Sequence, residues 1–224
     1  MKINGHKHKM SQKLYIKYIL PFCCGFCILS YEMTSIRKMV PYFGSNTIVW
    51  TNIFGVFILA LAIGYYLGGR IAQKTNSKWL LLSIPLISAG CILISTKSTP
   101  FIINILSHQL LKLNSIQNYL FLGSFSASII LFLIPTILLA MISPYVITIS
   151  TKTITTLGQS SGTIYATSTL GSLIGIILTE IILLPLLGIT ITLNYIVTIL
   201  ITVSIIGLIT QKNIKEKREK SYPN

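Results

Sequence analysis

The sequence predicts an all-α protein, a polytopic bundle of about six transmembrane helices with both termini in the cytoplasm. Three observations carry that expectation. Hydrophobic residues make up 52% of the 224 and charged residues only 10%, against roughly 25% charged in a soluble globular domain. Apolar stretches of roughly 20 residues, enough to cross a bilayer, recur along the whole chain. The basic residues sit at the two ends and in the short turns between apolar runs, as topology signals do.

The first apolar run, 14–36, follows a basic segment but is too long for a signal-peptide core and has no small-x-small cleavage site after it. It is expected to remain as the first helix. The further spans fall at 47–67, 79–96, 119–143, 164–187 and 189–210, with basic cytoplasmic tails at 1–13 and 211–224. Gly188 alone joins the fifth and sixth spans, in the run Pro185, Leu186, Leu187, Gly188, which suits a tight reversal between antiparallel helices. Between the third and fourth spans, Thr99 and Pro100 read as the cap and first residue of an amphipathic helix on the outer surface, with His108 on its wet face. Placing the N-terminus inside puts 14 of the 18 Lys and Arg on the cytoplasmic side and four outside, Arg37, Lys38, Lys97 and Lys112. Trp50, Tyr42 and Tyr119 then mark the outer interface, and Trp79, Tyr65, Tyr66, Tyr145 and Tyr165 the inner one.

Small residues mark the expected helix contacts. The second span carries Ala60, Gly64 and Gly68, and the fifth carries Thr163, Thr167, Gly171, Gly175 and Thr179, each at four-residue spacing. In lipid such stripes let backbones approach closely. Packing accounts for both, and sliding or bending during transport is the alternative.

The formal charge of +14 would suggest nucleic acid in a soluble protein, but no exposed basic face is available here, so the lipid bilayer is the expected partner and nucleic acid is not. Glu32, Glu180, Glu216 and Glu219 are the only acids, and the chain has no Asp. Most hydrolytic and metal-dependent mechanisms lose their usual carboxylates, so no enzyme activity, cofactor or metal site is expected. Cys23, Cys24, Cys27 and Cys91 lie within apolar spans, where core packing outweighs metal or redox work for the C-x-x-C of Cys24 and Cys27. Gly158, Gln159, Ser160, Ser161, Gly162 matches G-x-S-x-G without the strand, later His and acid that a nucleophile elbow needs, and reads as a flexible inner loop. His6 and His8 are too few for a metal site, and the C-terminal basic run satisfies the positive-inside rule.

Glu32 and Glu180 are the sharpest signals, because an ionisable residue inside a span costs on the order of 3 kcal/mol and turns toward a partner or cavity. Both fall in the outer half of the membrane, with Arg37 and Lys38 just above. Glu32 and Arg37 stand about 140° apart around one helix, a poor geometry for a pair. On a straight helix Glu180 projects nearly opposite Gly171. Two readings are open: an internal ion-pair network, or a site for a small cation or proton relay that opens outward.

The residues Glu32, Arg37, Pro41, Tyr42, Phe43, Gly44, Trp50, Gly55, Gly64, Tyr65, Tyr66, Gly68, Gly69, Arg70, and then Gly162, Tyr165, Ala166, Gly171, Gly175, Pro185, Gly188, carry a resemblance. They resemble the membrane portion of bacterial proteins that fuse a major-facilitator-like domain to a spermidine synthase. The resemblance implies a bacterial inner membrane, a six-helix module that binds or moves a small cation such as a polyamine, and a possible homodimer. Gly69 and Arg70 fall in its cytoplasmic turn, where this chain has Gln73 in place of the family's usual acid. The family's soluble aminopropyltransferase motifs do not occur in these residues. The alternative function is a non-transporting anchor or scaffold for a separately encoded synthase-like enzyme.

Overall fold

The computed structural model describes residues 14–110, 115–151 and 156–221, and the side chains of those except 109 and 214–221. The basic segment 1–13 with His6 and His8, Lys112, Lys152, residues 222–224 and the side chains of Glu216 and Glu219 lie outside the described residues.

Every element among the described residues is helical. A wide π-helical turn, Tyr15–Ile19, leads into α1 (Leu20–Phe43); α2 (Thr47–Thr75), α3 (Lys78–Leu110), α4 (Ile116–Ala140), α5 (Ile142–Ser150) and α6 (Leu157–Leu178) follow. A second π-helical turn, Thr179–Leu183, connects α6 to α7 (Leu184–Ser221). Five helical stretches are long and apolar enough to cross a membrane: Tyr15–Phe43, Thr47–Thr75, Lys78–His108, Ile116–Ser150 and Leu157–Asn213.

Backbone chemistry explains where the helices stop. Gly44 ends α1 at φ 74°, ψ 173°, a conformation that side-chain-bearing residues avoid. Asn46 then caps α2, its side chain accepting the Ile48 amide at 2.9 Å, and Asn76 closes α2 in the left-handed region. The last stretch has 57 residues, roughly 85 Å if straight. It is interrupted at Gly188, which adopts φ 74°, ψ 175°, almost the geometry of Gly44.

Contacts give the chain directions. Phe22, Phe26 and Arg37 of α1 meet Gly171, Gly175 and Glu180 in turn, so α6 runs beside α1 in the same sense. Beyond Gly188 the sense is opposite, because Cys27 faces the Ile196 carbonyl while Tyr15 donates to that of Val203. In the same way α2 runs along α4, with Asn52 on Phe121 and Gly64 on Ile137. Two seams therefore have one construction. On α6, Gly171 and Gly175 sit on the carbonyls of Phe22 and Phe26; on α2, Gly64 and Gly68 sit on those of Ile137 and Met141. In each, glycines four apart rest on carbonyls four apart, and an added Cβ would overlap the oxygen. Exchanging α1 with α4, α2 with α6, and α3 with the later part of α7 maps the seams onto one another with every direction reversed. The two seams are thereby related as an inverted pair. The centre of the bundle is aromatic: Tyr31 lies 5.7 Å from both Phe57 and Phe132, ring centre to ring centre.

Two expectations are corrected. The surface helix starting at Thr99 does not exist as a separate element, because α3 is continuous through Pro100 to Leu110 and Ile103 is buried. Pro100 has no amide to give the Thr96 carbonyl one turn back, but Lys38 supplies the missing donor, Nζ to oxygen, at 2.8 Å. That exchange of partners lets the helix pass through the proline. The segment from Gly158 to Gly162 is not a loop but the first turns of α6, where the Ser161 hydroxyl bonds back to the Leu157 carbonyl. The helices also outrun the expected spans. α1 continues past Ile36 to Phe43, and α7 continues past residue 210 to Ser221.

Candidate functional site

Glu32 lies on α1 in the half of the bundle nearer Gly44. It projects from the face that carries Gly25, seven residues earlier and only about 20° away around the helix. Gly25 is where α1 touches α6: its carbonyl accepts the Ser172 hydroxyl at 3.1 Å, and a Cβ there would overlap the Ser168 carbonyl. Glu32 is 4% exposed and makes no hydrogen bond or ion pair among the described residues.

The surrounding half of the interior is polar for a membrane-type core. Tyr31 reaches Ser95 of α3 at 3.3 Å. Asn52 of α2 donates to the Phe121 carbonyl at 2.9 Å and to Ser124 at 2.8 Å, and Ser128 follows one turn along α4. Ser35, Ser95, Ser124 and Ser128 are all buried. Tyr31 with Ser95 and Asn52 with Ser124 satisfy one another, Ser128 bonds the Ser124 carbonyl, and the Ser35 hydroxyl has no partner among the described residues; nor does the Glu32 carboxyl have a counter-charge among them.

Arg37 and Glu180 do pair, guanidinium to carboxylate. The pair spans the flank of the α1 and α6 seam at the Gly44 end, with the side chains 48% and 32% exposed. It borders a cleft of about 380 Å³ lined also by Val40, Ser45, Pro185 and Ile189. Glu180 belongs to the wide turn Thr179–Leu183. A straight-helix projection aims it away from Gly171; the wide turn and the length of the arginine close that gap. The buried Thr179 hydroxyl beside it has no partner among the described residues.

The three residues singled out in sequence therefore divide. Arg37 and Glu180 form one exposed pair, and Glu32 stands by itself inside. Of the packing residues, Ala60, Gly64, Gly68, Gly171 and Gly175 are buried, while Thr167 is half-buried with its hydroxyl on the Thr163 carbonyl. Gly69 has open space around it, and Arg70 is exposed, bonded to the Tyr66 hydroxyl at 2.9 Å. Sequence reasoning missed Gly25, whose seven-residue spacing from Glu32 was its only signal, and the tie from Lys38 to α3. All four cysteines are free thiols, and among the described residues no group of three His, Cys, Asp or Glu is placed to hold a metal.

No family model matches the chain, and no curated protein or solved structure matches it either.

Proposed function

We propose that this is a six-span integral membrane protein with both termini on the cytoplasmic side, and that it binds and moves a small cation across a bacterial inner membrane. The observation that carries this reading is Glu32, an acidic residue 4% exposed as a whole, without a basic partner among the described residues. A carboxyl placed so costs stability unless a cation or proton occupies it, and such residues mark ion and substrate paths. The inverted relation of the two seams adds support, because transporters commonly place their sites between inverted repeats and alternate by rocking one against the other. The six-span count follows from treating Gly188 as a reversal, and the orientation from the basic-residue asymmetry. The Gly44 turn is then outermost, and the Arg37 and Glu180 pair closes the outer rim.

The resemblance to synthase-fused membrane domains makes a polyamine the first solute to test. Catalysis forms no part of this reading. Purified protein in liposomes is expected to take up spermidine, with Glu32→Gln reducing uptake at least tenfold and Glu180→Gln altering it less. Absence of flux by the unmodified protein for spermidine, putrescine and alkali cations would overturn transport. Recovery of a synthase-like enzyme on the same protein from native membranes would favour the anchoring role instead.

A further inference from the structure

We infer that Glu32 is a single exchange site at which a proton and the solute cation exclude one another, so that each cation bound displaces one proton. This rests on the cation-binding reading above and names its coupling ion.

The inference follows from charge balance at the site. A buried carboxyl needs one positive charge beside it, either a covalently bound proton or a cation. Among the described residues no side chain supplies it. On α1 itself, Arg37 is engaged with Glu180, Lys38 with the Thr96 carbonyl and Tyr31 with Ser95. Among the described side chains, the elements packed on α1 bring no replacement. α4 carries only Tyr119, turned to Ser107; α5 only Tyr145, turned to Ser77; and α6 only Tyr165, edge-on to Tyr65. On α2, Tyr66, Arg70 and Lys74 are exposed at the far end; on α3, Lys97 and His108 are exposed and Lys78 opens the helix at that far end. On α7, Tyr195 is half-exposed.

The carboxyl therefore holds either a proton or one cationic group at a time. Cation entry breaks the carboxyl O–H bond, the proton passes to water, and the cation takes its place against the carboxylate. No oxidant or co-reactant is involved, and one proton leaves for each cation bound.

Dicyclohexylcarbodiimide tests this on the unmodified protein, because it reacts with protonated carboxyls in apolar surroundings. The acid proton moves to a carbodiimide nitrogen, the carboxyl oxygen bonds the central carbon, and acyl shift leaves an N-acylurea. Peptide mass should place the adduct on Glu32, with Glu180→Gln labelled as fully as the parent. Spermidine, Na⁺ or K⁺ should protect. Where the proton form dominates, the concentration giving half-protection should rise about tenfold for each unit fall in pH, as competition with one proton requires. Labelling that no cation protects, or protection independent of pH, would overturn the inference. Flux of a cation without these signatures would leave the transport reading intact and remove only the proton exchange; protection without flux would do the reverse.

Discussion

Lys38 donates its ammonium to the Thr96 carbonyl at 2.8 Å, the acceptor that Pro100 leaves without an intrahelical amide. The contact ties α1 to α3 and repairs a helix at its weak point in one step. Removing the lysine leaves a partly buried carbonyl without its donor.

Lys38→Met is expected to cost about 1–3 kcal/mol on that account. In a Pro100→Ala background the helix regains its own donor for Thr96, so the same substitution should cost distinctly less. Unfolding in mixed micelles across the four-protein cycle measures this. Equal costs in both backgrounds would show that the lysine serves some other end.

Gly171 and Gly64 should tolerate a methyl group poorly, because each rests on a backbone carbonyl that cannot swing aside. We expect Gly171→Ala and Gly64→Ala each to lose about 1–3 kcal/mol by overpacking. Gly55, with open space around it, serves as control and should gain about 0.5–1 kcal/mol from alanine's better helix propensity. Thermal unfolding in detergent ranks the three.

At Gly44 and Gly188 the obstacle is conformational, since both hold φ 74° with nothing crowding the missing Cβ. Alanine at either is expected to cost about 1–3 kcal/mol. Space-filling at Gly171 and backbone strain at Gly188 therefore predict similar losses from opposite causes. An Asn substitution should recover none of the loss at Gly188, because φ 74° with ψ 175° lies outside the left-handed helical region that Asn tolerates, in one essentially confined to glycine.

The Arg37 and Glu180 pair is half in solvent, so its contribution to stability is small. A double-mutant cycle with Arg37→Gln and Glu180→Gln should return a coupling of about 1 kcal/mol or less, falling with added salt. Accessibility should respond more: Ser45→Cys, in a chain otherwise free of cysteine, should react faster with an impermeant maleimide once the pair is broken. Unchanged reactivity would count against its closing the rim.

The same reagent tests the orientation. Ser45→Cys should label in sealed cells and Asn76→Cys only after permeabilisation. Equal labelling of the two would place both turns on one side of the membrane and defeat the six-span arrangement.

Much of this architecture is legible in sequence because its causes are local. Apolar run length, the positive φ that Gly188 permits, and glycines repeated every four residues each act within a turn or two of helix. The errors share a different origin. Pro100 reads as a helix start and Gly158 to Gly162 as a loop when only neighbours in the chain are weighed. Lys38, more than fifty residues from Pro100, decides the first.

The sequence by itself determined that the chain folds as apolar helices, where they reverse, and that Glu32 and Glu180 are the acids placed among them. Periodicity and side-chain chemistry suffice for that. Tertiary structure decided that Arg37 takes Glu180, that Lys38 serves α3, and that Glu32 is left buried with neither. Charge partners depend on which helices adjoin and on how a wide turn re-aims a side chain, and a linear order of residues does not contain those distances.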